Sequence, residues 1–154
     1  FLGNAKVDEE QEEQEEEEAN IEETSFVLEE HLREYISKNL SVVESGLKLW
    51  KDKDGKEGIE YSIDEANRRI DILAVDKSDI PVVIELKVSK GYQKVIGQCL
   101  YYRNRVKQLL KSTRTRIIII AREISPELKT ATEDLTDVNL YEYRISFNLQ
   151  RIGF

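Results

Sequence analysis

Two short apolar runs separated by a polar break constrain the fold of this 154-residue chain more than any other feature. The runs span residues 69–76 and 81–88, and both are rich in the β-branched residues that favour strands. The break at residues 77–80 is short enough to close a hairpin loop. We therefore predict two neighbouring strands, joined as a hairpin, at the centre of the domain.

Three ionisable side chains interrupt these strands: Asp71 in the first, and Glu85 and Lys87 in the second. Because side chains alternate along a strand, Glu85 and Lys87 share one face of the second strand. A charge buried in such an apolar run is costly unless it is paired or binds a metal. The pattern therefore allows two interpretations. One is a solvated salt bridge on a sheet face with Asp71 at a strand end, and the other is a metal site.

Two predicted helices flank the hairpin in sequence. Residues 25–40 have the apolar spacing of an amphipathic helix with Ser25 as its N-cap. In this helix Glu29 lies one turn before Arg33, so an intrahelical ion pair on a solvated face is one interpretation of both residues. Residues 93–111 have the same helical spacing, which predicts a second amphipathic helix after the hairpin.

The second helix carries a polar pair whose role the spacing alone leaves open. Gln98 and Tyr102 are four residues apart, so they lie on one side of the helix. Taken alone, Gln98 would be a surface glutamine and Tyr102 a core aromatic residue.

The remaining segments complete an α/β pattern. We predict a strand that ends at Trp50, a glycine-containing turn, and a short strand before residue 62. The apolar run 116–121 predicts a buried strand that is reached by a helical crossover. Residues 126–135 predict a short helix, and residues 138–149 predict a final strand. Residues 25–154 are therefore expected to form one α/β domain.

Charge is divided unevenly along the chain. Residues 1–24 hold eleven carboxylates and one lysine, a net charge of −10, whereas the whole chain carries −8. Residues 25–154 therefore carry +2. An acidic run of this kind repels itself and cannot form a core, so residues 1–24 are predicted to be a linker or an exposed helical extension.

A basic block lies next to the candidate site. From Lys87 to Arg122 there are ten lysines and arginines and no acidic residue. Arg103, Lys107 and Lys111 repeat every four residues, which predicts a basic ridge along one side of the second helix. Such a block on a folded segment is typical of a phosphate-binding surface, with a generally soluble surface as the alternative.

The order of these residues resembles the PD-(D/E)XK nuclease superfamily. The resemblance rests on Asp71, then Glu85-x-Lys87 on the next strand, then a helix with Gln98 and Tyr102. It is greatest to the nuclease domain of the NucS-type DNA endonucleases, which cut mismatched or branched DNA, and it covers about residues 25–149. Two features depart from the pattern. Ile70 stands where the superfamily's nominal proline would be, and the N-terminal DNA-binding domain of full NucS-type proteins is absent from the sequence.

The resemblance implies a restriction-endonuclease-like core with a mixed central sheet flanked by helices. It also implies a Mg²⁺-dependent deoxyribonuclease, with Mn²⁺ as a substitute, in which Asp71, Glu85 and the backbone carbonyl of Leu86 bind the metal. Lys87 would then be catalytic, Gln98 would position substrate or catalytic groups, and Glu29 would hold metal-bound water or a second ion. The expected DNA-binding residues are Lys90, Lys94, Tyr102, Arg103, Lys107 and Lys111.

Two alternatives to an active nuclease remain open from the sequence. The chain could be a nuclease-like module that binds DNA or a protein without cutting, and this interpretation predicts no metal binding. The acidic run could act as an autoinhibitory DNA mimic or as a partner-binding segment.

Partners and location follow from simple features. No run is long and apolar enough to span a membrane, and the one cysteine, Cys99, suits a reducing compartment. We therefore expect a cytoplasmic, DNA-associated protein. Cutting both DNA strands takes two sites, for which a homodimer is one solution. The chain begins at Phe1 and has no methionine, so we expect a fragment that lacks an upstream domain or a partner protein.

Overall fold

The computed structural model describes the backbone of residues 3–88 and 93–153, and the side chains of residues 11–20, 27–88 and 94–153. Four strands follow the first helix, and helices and strands alternate after them, as expected of an α/β domain. The elements are α1 (Gly3–Lys38), a 3₁₀ turn (Leu40–Val42), β1 (Lys48–Leu49), β2 (Ile59–Ser62), β3 (Arg69–Val75), β4 (Pro81–Lys87), α2 (Gln93–Leu110), β5 (Arg116–Ala121), α3 (Pro126–Thr132) and β6 (Val138–Glu142).

One mixed sheet contains all six of these strands, in the order β1-β3-β4-β5-β6 with β2 also paired to β3. Strands β3 and β4 are antiparallel, which confirms the predicted hairpin. Strand β5 lies parallel to β4, and β6 lies parallel to β5. Because parallel neighbours need a crossover, α2 and α3 fill the two connections as the sequence pattern predicts. The predicted α/β fold with a mixed central sheet is confirmed.

Helices cover both faces of the sheet, and the alternation along β4 decides which residues face which layer. Val82, Ile84 and Leu86 belong to an apolar cluster with Ile36 of α1. Val83 belongs to a second cluster, in which Cys99, Tyr102 and Val106 of α2 pack with Leu128 of α3. Glu85 and Lys87 follow Val83 on the strand, so the α2 side of the sheet is the face that carries the ionisable residues.

Helix α1 is longer than the sequence pattern predicts. It begins at Gly3 rather than at Ser25, and it runs for 36 residues without a break. The glutamates that repel one another also have high helix propensity, so an acidic run next to an amphipathic helix extends it. Residues 11–20 are all exposed, as predicted for a helical extension. Whether residues 1–24 form a unit apart from the domain stays a prediction.

Two strands are shorter than predicted. Strand β1 contains only Lys48 and Leu49, because the preceding residues form the 3₁₀ turn and a glycine turn in which Gly46 has φ +86°. Strand β6 ends at Glu142 instead of Leu149. Its only partner among the described residues, β5, has already ended at Ala121, so a longer β6 would have no ladder to join.

Candidate active site

The centre of the site lies where β3 and β4 stop pairing. The register runs from Val75 opposite Pro81 to Ile72 opposite Ile84, and the next residues on the two strands are Asp71 and Glu85. Here two crossed hydrogen bonds involve the side chains. The Asp71 amide donates to Glu85 Oε1 at 3.3 Å, and the Leu86 amide donates to Asp71 Oδ2 at 2.9 Å. Each carboxylate is thus held by the backbone of the opposite strand.

Burial of this pair of carboxyl groups disfavours their charged forms. Glu85 is 1 % exposed, and the Asp71 side chain is 15 % exposed. Burial first, and then the negative charge of Asp71, raise the pKa of Glu85 well above its ordinary value. Two acidic groups in so little water favour either a shared proton or a bound cation. The predicted proximity of Asp71 and Glu85 is present in the structure.

Lys87 supplies the nearest positive charge on β4. It is half-buried at the end of the strand, two residues after Glu85. Its charge opposes the rise in the pKa of Glu85 that burial and Asp71 produce. Lys87 therefore lies where the sequence pattern predicts it, close enough to act on the same centre.

Glu29 reaches the site from α1. Burial and the charge of Asp71 raise its pKa, whereas Lys87, Arg33 and a hydrogen bond from the Val88 amide lower it. Glu29 therefore lies within electrostatic range of Asp71 and Lys87, on a helix that packs on the opposite side of the sheet from α2. Arg33 also acts on it, so an interaction with its helix neighbour is present, and a role of Glu29 at a metal stays a prediction.

Gln98 and Tyr102 form a direct pair on α2. The Gln98 amide Nε2 donates to the Tyr102 hydroxyl at 2.6 Å. Tyr102 is 2 % exposed, and burial raises its pKa, with further contributions from the charges of Glu85 and Asp71. Tyr102 therefore lies near the carboxylates, and Gln98 is held next to it. A buried tyrosine offers DNA no surface, so Tyr102 is better described as the residue that orients Gln98.

The two strand carboxylates are the donors best placed to hold a metal. They are hard oxygen ligands, and Mg²⁺ is commonly held by one or two carboxylates together with waters and substrate oxygens. In the described part of the chain, no group of three histidine, cysteine, aspartate or glutamate side chains already surrounds a common point. The donor set thus fits a hydrated ion with two protein carboxylates, and the Leu86 carbonyl as a further ligand stays a prediction.

Some of the positive charges in the basic block, residues 87–122, are paired with acidic residues in the fold. Arg116 makes two hydrogen bonds with the Glu44 carboxylate, at 2.7 and 2.8 Å, and a third with Asp76 at 3.1 Å. Arg114 pairs with Asp137 at 2.9 Å. These two arginines are bound to acids from distant parts of the sequence, so their charges are partly neutralised.

The predicted DNA-binding residues of α2 differ in their exposure. Lys94 and Lys111 are exposed, and Arg103 and Lys107 are half-buried. Lys111 directly follows the last residue of α2 and has φ +50°. Lys90 lies outside the described residues. Two residues of the predicted ridge are thus half-buried and the third lies just beyond the helix, so the ridge and its contact with DNA stay predictions.

Arg33 is the site residue whose role the sequence pattern missed. Its Nη1 lies 3.7 Å from Asp71 Oδ1, and its Nη2 lies 3.3 Å from Glu60 Oε1. Glu60 comes from β2, where the nearby Gly58 allows close packing: a Cβ atom at Gly58 would lie 2.3 Å from the Leu73 carbonyl oxygen. The sequence pattern predicted this short strand but gave no sign that Glu60 would pair with Arg33.

The architecture defines the class of the fold: a mixed six-stranded sheet with helices on both faces, as in the restriction-endonuclease-like α/β proteins. Within that class the chain has the fold of the NucS-type nucleases, as predicted.

Two solved structures have a fold similar to that of this chain. One is a repair endonuclease from Pyrococcus abyssi, with a TM-score of 0.59, 23 % identity, and coverage of 73 % of this chain and 45 % of that one. The other is EndoMS in a double-stranded DNA complex, with a TM-score of 0.57, 19 % identity, and coverage of 76 % and 44 %. The chain thus spans less than half the length of either.

No protein-family model matches the sequence, and no curated protein matches it. No helix among the described residues is long and apolar enough to cross a membrane.

Proposed function

We propose that this chain is a divalent-metal-dependent deoxyribonuclease domain that hydrolyses phosphodiester bonds. One observation carries the proposal: the carboxylates of Asp71 and Glu85 each accept a backbone amide of the opposite strand, and Glu85 is buried on the strand that also carries Lys87. The fold alone does not establish an activity, because the same fold can serve binding without catalysis. The chemistry of these three side chains is what favours hydrolysis.

Each residue has a role that its position supports. Asp71 and Glu85 would hold Mg²⁺, or Mn²⁺ in its place. When bound, such an ion supplies charge stabilisation at the phosphate and a lower pKa for the attacking water. Lys87 would orient that water or stabilise negative charge that develops on the phosphate oxygens. Gln98, held by Tyr102, would position the substrate, and Glu29 would accept a hydrogen bond from a water at the site.

The basic ridge of α2 would hold the DNA backbone. Lysines and arginines that neutralise phosphates provide affinity that is independent of sequence and sensitive to salt. We assign this role to the three ridge residues Arg103, Lys107 and Lys111 and, outside the ridge, to Lys90 and Lys94. The structural neighbour that is a complex with double-stranded DNA supports DNA as the ligand of this fold.

The acidic part of α1 remains a candidate regulator. Charge complementarity with the basic ridge would allow it to compete with DNA. Among the described side chains, however, no ion pair joins residues 12–18 to α2. Autoinhibition would therefore require α1 to be placed differently, and deletion of residues 1–24 would test it through a salt-sensitive gain in DNA affinity.

Cleavage of labelled DNA tests the proposed function. The substrates are plain duplex, mismatched duplex, flapped duplex and single-stranded DNA, each incubated with Mg²⁺, Mn²⁺ or EDTA. We expect cutting with either ion and none in EDTA, and the preferred substrate identifies the DNA structure that the chain recognises. Salt-dependent DNA binding with no cutting under any condition would contradict the proposal and favour the non-catalytic binding module.

A second prediction concerns the basic ridge. Replacing Lys107 and Lys111 together by glutamine removes two charges from one side of α2 without adding bulk. We expect weaker DNA binding on every sequence, and the slope of log affinity against log salt should become shallower by about one per lysine. Fluorescence anisotropy over a salt series measures both quantities.

Lys48 is the matched control for the ridge, because it is an exposed lysine on the outer strand β1. Lys48→Gln should leave the affinity and the salt slope unchanged. Equal losses from the control and the double variant would show that the ridge has no special role.

A further inference from the structure

Arg33 ties α1 to two strands of the sheet at the candidate site. Its side chain is 11 % exposed and lies between Asp71 of β3 and Glu60 of β2. The contact with Glu60, at 3.3 Å, is the shorter one, and the contact with Asp71, at 3.7 Å, is too long for a hydrogen bond. The guanidinium group is therefore anchored on Glu60 and attracted to Asp71.

The two oxygens of Asp71 are engaged differently. Oδ2 accepts the Leu86 amide at 2.9 Å, which uses one of its two lone pairs. Oδ1 faces Arg33. Oδ1 is therefore the oxygen of Asp71 with more capacity left for a cation. Arg33 and a divalent ion would then compete for the same oxygen.

Glu60 is held in an unusual backbone conformation. Its φ of +46° lies in the left-handed region, which is unfavourable for a residue with a Cβ atom. The residues on either side of it still pair with β3, Ile59 with Ile72 and Tyr61 with Ile70. The conformation is thus retained inside a paired strand, at the residue whose carboxylate contacts Arg33. Observed strain of this kind is concentrated at functional sites.

We propose that Arg33 is a positioning residue that acts as the counter-cation of Asp71 when no divalent ion is bound. When an ion arrives, Arg33 yields Oδ1 and stays paired with Glu60. This inference rests on the proposed function, because it takes Asp71 as a metal ligand. The competing explanation is structural: Arg33 would only fasten α1 to the sheet, with no influence on the affinity for an ion.

Replacing Arg33 by methionine separates the two explanations, because methionine keeps an apolar stem of similar length and removes the charge. Two readouts are needed: Mn²⁺ affinity by electron paramagnetic resonance, and the midpoint of thermal unfolding in EDTA. We expect Mn²⁺ to bind about tenfold more tightly, since one unit charge a few ångströms away no longer repels it. We expect the unfolding midpoint in EDTA to fall. A purely structural role would lower the midpoint without tightening Mn²⁺ binding.

Lys38 is the matched control on the same helix. It pairs with Glu34, and both side chains are well exposed, 70 % and 60 %. Lys38→Met should change neither the Mn²⁺ affinity nor the unfolding midpoint, since an exposed pair contributes little. A gain in Mn²⁺ affinity equal to that of Arg33→Met would show a general charge effect and overturn the proposal.

Glu60→Gln tests whether Glu60 anchors the Arg33 guanidinium group. Without Glu60 the guanidinium is free to pair with Asp71 alone, so Mn²⁺ binding should weaken. In the Arg33→Met background the same substitution should have little effect, because there is no guanidinium left to redirect. If Glu60→Gln weakened Mn²⁺ binding equally in the natural chain and in Arg33→Met, Glu60 would act on the ion directly. That result would contradict the role of Glu60 as the anchor of Arg33.

The outcomes also separate this inference from the function on which it rests. If the natural chain binds Mn²⁺ and Arg33→Met binds it no more tightly, the counter-cation role fails while the metal site stands. If neither chain binds Mn²⁺, the metal site and the counter-cation role fail together.

Discussion

Replacing Asp71 by asparagine is expected to lower the rate of DNA cleavage about 1,000-fold, because the loss of one carboxylate removes several kcal/mol of charge stabilisation that a bound ion provides. Asparagine has nearly the same shape and retains an oxygen that can accept the Leu86 amide, so the crossed hydrogen bonds that hold the strands can remain. DNA affinity in EDTA should stay close to that of the natural chain. Single-turnover cleavage at saturating enzyme measures the chemical step.

Asp79 offers a matched control on the same hairpin. It is exposed in the loop between β3 and β4, and its φ of +62° is one that asparagine adopts readily. Asp79→Asn should therefore cleave DNA at the natural rate. An Asp71→Asn chain that cuts as fast as this control would remove Asp71 from the catalytic centre.

Replacing Glu85 by glutamine is expected to move activity and stability in opposite directions. Cleavage should be lost, because a neutral amide is a poor ligand for Mg²⁺. The metal-free protein, however, should become more stable by about 1–2 kcal/mol, since an ionisable group buried beside Asp71 costs more than a neutral one. Chemical denaturation in EDTA measures the free energy of unfolding, with the exposed Glu57→Gln as the control.

The same substitution has a pH signature. The pKa of Glu85 is raised in the folded chain, so the folded state binds a proton more tightly than the unfolded state does. Its contribution to stability is therefore complete at low pH and is lost as the pH rises through the folded-state pKa. We expect the free energy of unfolding of the natural chain in EDTA to fall as the pH rises above the ordinary range of a glutamate, and that of Glu85→Gln to fall less. Parallel profiles for the two chains would contradict this assignment.

The carboxylate pair could be predicted because it depends on local periodicity. Alternation along β4 places Glu85 on the other face of the strand from Ile84 and Leu86. The short break before Pro81 closes a hairpin, which brings Asp71 of β3 next to Glu85. The pair formed by Gln98 and Tyr102 follows from the helical repeat in the same way. Each of these inferences needs only the geometry of one element or of one hairpin.

The features that escaped prediction depend on contacts between distant segments. Arg33 was interpreted through its neighbour Glu29, whereas its ion pairs are with Glu60 and Asp71. Arg116 belongs to the basic block in sequence, but Glu44, which lies 72 residues away, binds it in the fold. No local pattern records such pairings, because they depend on how α1 and the outer strands pack on the sheet.

The end of the sheet illustrates a different limit. Ile145, Phe147 and Leu149 alternate as a strand would, yet they lie beyond Glu142 and are 65 %, 83 % and 86 % exposed. Alternation shows that a segment is able to form a strand, but a strand also needs a neighbour with unpaired backbone groups. Because β5 stops at Ala121, its ladder with β6 stops there too.

The most direct test of the metal-dependent centre is an anomalous diffraction measurement on crystals of the chain grown with Mn²⁺ and a short DNA duplex. We predict an Mn²⁺ peak between the carboxylates of Asp71 and Glu85, next to a DNA phosphate and within reach of Lys87. Crystals that contain the bound duplex but show no Mn²⁺ at these carboxylates would contradict the account and identify the fold as a DNA-binding module that does not cut.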